Sequence, residues 1–132
     1  MTNDDTTITD LLDLTERLLH SITEGDWSTY STLCDPTLTA FEPEARSQLV
    51  EGMDFHGFYF DRGGVEGPHH TTICSPHVRL LVDSVAVVCY VRLDQRLDEK
   101  GRDVTQRFEE TRIWEKTEDG WRHVHFHRSA NE

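Results

Sequence analysis

Apolar residues recur at Ile8, Leu11, Leu12, Leu18, Leu19 and Ile22, the three-to-four spacing of one helix face. This predicts a first helix from about Thr7, with Asp10 three residues on as a capping-box partner and Gly25 placed to end it. Asp26 can cap a second, short helix over Trp27 to about Cys34, which "DPT" breaks because Pro36 disfavours the helical region for Asp35. "LTAFEP" (38–43) predicts a short strand stopped by Pro43. "EGMDFHGFYFDR" (51–62) sets Phe55, Phe58 and Tyr59 on one helical side, and "GGVEGP" (63–68) is a loop by its glycines.

From His69 onward the period shortens to two, the mark of β-strands. The runs are "HHTTICS", "HVRLLVDS", "VAVVCYVRLDQRLD", "RDVTQRFEETRIWEK" and "GWRHVHFHRS"; "DS", "DEKG" and "TEDG" are turn signals between the last four. Helices followed by consecutive long strands predict an α+β fold, a curved antiparallel sheet with helices on one side. Strict alternation in the last strand puts Trp121, His123, His125 and His127 on one face, and Arg122, Val124, Phe126 and Arg128 on the other.

At 132 residues the chain is long enough for one domain with a real core, and residues 1–132 are expected to form a single unit. A net charge of −12 argues against nucleic acid and anionic membranes as partners, since both attract basic patches. Cys34, Cys74 and Cys89 are odd in number and lack a C-x-x-C spacing, which favours a reducing cytoplasm over a secreted disulfide framework. The longest apolar run, Val85 to Val91, has seven residues, too few to span a bilayer.

Parity brings out one chemical feature. Arg92 shares a face with Ala86, Val88 and Tyr90; Arg112 with Phe108, Glu110 and Trp114; Arg128 with Val124 and Phe126. Each arginine ends or interrupts an apolar row on the inner side of the sheet. Arginine cannot shed its proton, and an unpaired buried charge costs several kcal/mol. Acceptors must therefore be near. They are either internal, from Glu110, Glu42, Glu44 or Asp94, or they belong to a small carboxylate ligand gripped by guanidinium forks.

H-x-H-x-H on one strand face is a geometry that can hold zinc, but no further ligand sits at a recognisable spacing. A packed or subunit-covered surface suits the Trp121 row better, and neither metal nor cofactor is expected. No nucleophile elbow, phosphate loop or kinase signature is present. Acid–base chemistry could pair His56 with an inward carboxylate such as Glu110, although no spacing singles out such a pair.

Three stretches together carry a resemblance: "LTERLLHSITEGDWSTYSTLCDPTLTAFEPEARSQLVEGMDFHGFYF", "HTTICSPHV" and "EETRIWEKTEDGWRHVHFHRSA". They closely resemble the association (hub) domain of calcium/calmodulin-dependent protein kinase type II, over about residues 10–130. The resemblance implies a nuclear transport factor 2-like cone, a long N-terminal helix packed on a strongly bent sheet around a cavity. It implies that the chain is a scaffold that assembles with itself, as dimers joined into two stacked rings, a dodecamer or larger, with related kinase hub domains as further partners. It also implies a cavity for small carboxylates of the γ-hydroxybutyrate type, formed by His56 of "DFH", Tyr90 and Arg92 of "YVR", Arg112 of "EETR" and Arg128 of "HFHR". Two alternatives to assembly stand beside it: a carboxylate-binding module, and an enzyme of the polyketide-cyclase or isomerase type.

Two departures modify the expectation. The chain starts at Met1 with no kinase domain or linker, which suits a free-standing hub homologue. In "DRGGVEGP", Gly63–Gly64 stand where the family loop carries a tryptophan able to swing over the cavity.

Overall fold

A computed structural model describes residues 3–130. Helix α1 (Asn3–Glu24) and helix α2 (Trp27–Leu33) precede strand β1 (Cys34–Phe41), a 3-10 turn (Pro43–Ala45) and the short strand β2 (Val50–Glu51). Helix α3 (Asp54–Phe60) leads to four long strands: β3 (His69–Val82), β4 (Val85–Leu97), β5 (Asp103–Thr117) and β6 (Gly120–Arg128). All six strands form one sheet in the order β2-β1-β6-β5-β4-β3.

The stripe Leu11, Thr15, Leu18, Leu19 is the buried side of α1. Burying each leucine stabilises the fold by about 1.5–3 kcal/mol, and Thr15 satisfies its hydroxyl on the Leu11 carbonyl at 2.8 Å. The helix starts earlier than expected, so Thr7 lies inside it and bonds back to the Asn3 carbonyl at 2.9 Å rather than capping. Gly25 ends it at φ 68°, and Asp26 caps α2 through the Thr29 amide at 3.1 Å. Helix α2 ends at Leu33, ahead of Asp35 and Pro36, and β1 begins at Cys34, four residues before the expected strand, with Pro36 inside it.

Three other details differ from the sequence reading. "HHTTICS" and "HVRLLVDS" are one strand, bulged between Cys74 and His77, where Ser75 takes φ 51° and Pro76 has no amide to pair. Second, β1 runs parallel to β6, so the sheet is not wholly antiparallel. Third, β5 and β6 slip register between Ile113 and Trp114: Trp114 pairs His123 while Ile113 pairs His125, leaving Val124 as an extra residue. A bulge of this kind bends its strand and raises the local twist.

The core lies between α1 and the inner sheet face, where Leu11, Leu18 and Leu19 meet Leu38, Ala40, Ala86, Val88, Trp114 and Phe126. No helix among the described residues is long and apolar enough to cross a membrane.

Candidate functional site

The parity argument for β4 and β5 holds. Ala86, Val88, Tyr90 and Arg92 are buried in alternation on β4, and Phe108, Glu110, Arg112 and Trp114 on β5. On β6 the bulge changes the picture. Trp121 packs against the core and His123 is buried, whereas beyond Val124 the buried position is Phe126. The three histidines therefore do not share a face, and the Trp121 row is not an outer surface. Among the described residues no group of three or more histidine, cysteine or acidic side chains is placed to hold a metal ion.

His56, Arg92, Arg112 and Arg128 lie around one cavity, whereas Tyr90 is not in its lining and instead bonds Glu110 and Arg112. Glu110 is the hub of the network. Its Oε2 accepts from Arg92 Nη1 at 3.0 Å, and its Oε1 accepts from Arg112 Nη2 at 3.2 Å and from the Tyr90 hydroxyl at 2.5 Å. Arg92 also forks onto Asp94, with Nε 3.0 Å from Oδ1 and Nη2 2.8 Å from Oδ2. Arg112 donates from Nε to the Tyr90 oxygen at 2.8 Å and stacks over Phe126 at 4.6 Å. Arg128 pairs with Glu44 and approaches Glu42 at 3.8 Å.

Each arginine thus already has a carboxylate partner within the chain, drawn from the four that the sequence offered. Burial alone would raise Glu110, but Arg112 and Arg92 outweigh it and hold its carboxyl below the usual range. That makes Glu110 an anchor rather than a proton acceptor for His56.

The carboxylate that does face His56 is Glu42, with Oε1 3.5 Å from Nδ1. It continues the inward row of β1, Leu38 and Ala40, and its place on that parity is the signal by which sequence reasoning could have found it. Burial, with Glu44 adding to it, pushes the Glu42 carboxyl up to about 7. Burial, with Arg112 next, pushes the His56 imidazole down to about 4.

His123 and Cys34 were also missed. His123 links Arg112 at 3.3 Å to the Cys34 sulfur at 3.4 Å, and burial pushes that thiol up to about 12, so Cys34 is an unreactive acceptor.

Glu42, Glu44, His56, Arg92, Asp94, Arg112 and Arg128 line a cavity of about 470 Å³ walled by Tyr30, Phe60, Val65 and Phe126 among others, while Tyr90, Glu110, His123 and Cys34 are not part of its lining. Its loop wall is fastened to α1: the Val65 amide bonds the Thr23 carbonyl at 2.7 Å, and His69 Nε2 meets Glu24 at 2.9 Å. Gly63–Gly64 are what permit this. A Cβ on Gly64 would fall 2.5 Å from the Thr23 carbonyl oxygen.

The outer sheet face is different in character. Val87, Cys89 and Val91 of β4 alternate with the inward residues and pair with Ile113, Thr111 and Glu109 of β5. His125, His127 and Phe41 continue the same face, with Thr39 Oγ1 2.7 Å from His125 Nδ1 and Phe41 5.6 Å from His127 between ring centroids. These side chains are half-buried or exposed, while the core that receives the α1 stripe lies on the opposite face.

Comparison with known proteins gives a consistent answer. The calcium/calmodulin-dependent protein kinase type II alpha chain of Drosophila melanogaster is 48% identical over 126 residues, covering 92% of this chain and 23% of that one. The subunit delta of Oryctolagus cuniculus is 46% identical over 124 residues, with the same coverage. The chain therefore spans about a quarter of the length of these relatives.

Among solved structures, the association domain of the C. elegans kinase superposes with a TM-score of 0.90 at 41% identity, over 96% of this chain and 97% of that one. The Chlamydamonas reinhardtii hub homology domain gives 0.88 at 46%, over 96% and 99%. A nuclear transport factor 2-like protein from Salmonella enterica, at 0.79 and 20% identity over 98% and 94%, shares the fold. The family model for the calcium/calmodulin dependent protein kinase II association domain matches residues 7–132, and the chain belongs to that family.

Proposed function

We propose that this chain is a self-assembly module, whose copies join through the outer face of the sheet into dimers and then into two stacked rings, a dodecamer or larger. The observation that carries the reading is the β4–β5–β6 outer face. It carries Val87, Cys89, Val91 and Ile113, and among the described residues the core cluster lies on the other side of the sheet. Apolar residues left on a sheet face that the core does not cover suit an interaction site. A partner of the same kind is the economical occupant, because identical subunits close into symmetric assemblies through one repeated patch pair. Membership of an association-domain family supports the same occupant.

In this reading assembly is itself the activity. Native mass spectrometry of the purified chain tests it. The expected result is a particle of about twelve or more times the 15.3 kDa chain. A well-folded 15.3 kDa monomer at micromolar concentration rejects it.

A further inference from the structure

Laid side by side, the strand registers give the outer sheet face a plan. His125 lies between Thr39 and Ile113, and His127 between Phe41 and Thr111. The same two rows run on through Val87 and Cys89 of β4 and end on the edge strand β3 at Arg79 and His77. An apolar strip is thus bordered on one side by two imidazoles and on the other by an imidazole and a guanidinium. His125 is half-buried, and His127, His77 and Arg79 are exposed.

The residues directly opposite the β6 pair are all uncharged. The charged groups farther round are Glu51 of β2, one strand beyond Thr39, and Glu109 and Glu115 of β5, diagonal to His127 and His125. Arg107 engages Glu109 at 3.5 Å, and Glu115 lies across from Arg122. His125 Nδ1 meets a hydroxyl, Thr39 Oγ1 at 2.7 Å, and Phe41 is set against both rings. Burial, with His127 next, already lowers the His125 imidazole in the single chain.

Turning a second copy over onto this face, as in face-to-face sheet packing, brings the His125–His127 border either onto its own twin or onto the Arg79–His77 border. Neutral imidazoles can accept hydrogen bonds from either. Imidazoliums meet like charge in both placements, and a covered charge without a counter-ion is costly. Arg79, charged at every pH, is long enough to keep its head at the wet rim. On the reading of this face as the contact between copies, we propose that His125 and His127 make self-association sensitive to acid. Copies join through the face while both rings are neutral and part when both are charged.

A ring that must be neutral when covered binds its proton only in the separated chain. Association therefore weakens as pH falls through the ordinary imidazole range, near about 6.5. Below that range the loss is about tenfold per pH unit for each such ring, and two rings on each copy make the response steep.

The test is native mass spectrometry of the full chain at about pH 7.5 and about pH 5.5, on either side of the imidazole range, with circular dichroism alongside. The unaltered chain should be assembled at the higher pH and fall to small species at the lower. Its far-ultraviolet circular dichroism should be kept, and its mass restored on returning to the higher pH. The double variant His125→Asn, His127→Gln, in which the Asn amide can take the place of Nδ1 beside Thr39, should stay assembled at both. His127 is exposed, so His127→Gln alone serves should the double variant fail to fold, and it should come apart only at a lower pH than the unaltered chain. A folded monomer at the higher pH defeats the interface reading and this proposal together. An assembly intact at the lower pH overturns this proposal alone, as do loss of circular dichroism along with the mass and variants that come apart at the same pH as the unaltered chain.

Discussion

Arg112 and His123 meet inside the sheet, with Nη1 of the guanidinium 3.3 Å from Nε2 of the imidazole. A guanidinium has no lone pair to offer, so Nε2 accepts and the ring proton sits on Nδ1, aimed at the Cys34 sulfur. Protonating the ring would set N–H against N–H beside a fixed positive charge. Burial, then Arg112, accordingly holds His123 well below the ordinary histidine range.

This arrangement sets an acid limit on stability. His56 and His123 both have lowered values in the folded state, so the unfolded chain binds their protons first. Their contribution is intact above about pH 6.5 and is lost as pH falls below it, down towards about 4 for His56. Glu42 has the opposite sign: its carboxyl is raised to about 7, so its contribution is full below about pH 4.5 and declines as pH rises through 7. Two histidines outweigh one carboxyl on the acid side. Urea midpoints at fixed protein concentration should therefore peak near pH 6.5–7 and fall towards pH 5; a midpoint flat over that acid interval contradicts the assignment.

Glu110 holds Arg92, Arg112 and Tyr90 together from one buried carboxylate. Glu110→Ala would strand the Arg112 guanidinium, leave Arg92 only its fork to Asp94, and should destabilise the fold by about 3–5 kcal/mol. Thermal melts at matched concentration check this, and a loss below about 1 kcal/mol would mean that water takes over the guanidiniums.

At Gly64 the backbone of the loop touches the end of α1. Gly64→Ala must move one or the other, because its Cβ would lie 2.6 Å from the Glu24 carbonyl carbon. The expected cost is about 1–3 kcal/mol, with amide exchange at Val65 accelerated as its bond to Thr23 is lost. Unchanged Val65 protection would show that the loop is held by other contacts.

Val87 lies on the outer sheet face and is half-buried in the single chain. Val87→Glu should leave the far-ultraviolet circular dichroism unchanged while reducing the native mass to dimers or monomers, since a covered face cannot accept an unpaired charge. Retention of the full assembly would move the interface elsewhere.

Much of this was legible from period alone. Strict alternation along β4 and β5 located Arg92, Arg112 and Glu110 on the inner face, because side chains in a regular strand must alternate. The same rule failed at His123. A single extra residue, Val124, resets the phase of β6, and nothing in W-R-H-V-H-F-H-R marks which residue is the extra one. The joining of "HHTTICS" to "HVRLLVDS" escaped for a related reason: Pro76 reads as a strand breaker, yet a bulge absorbs it. Glu42 was named only as a counter-charge, although Leu38 and Ala40 already pointed it inward. Its closeness to His56 depends on where the tertiary fold places α3, which no local pattern encodes.

The sheet order has a consequence for how the chain comes into being. β6 is the strand that joins β1 and β2 to β5, β4 and β3, so two halves of the sheet wait for it with open edges. Until residues 120–128 have left the ribosome, β5 has no partner on one side and the arginine cluster no far wall. Closure of the sheet therefore waits for that strand, and a growing chain short of it should be a substrate for chaperones rather than a subunit.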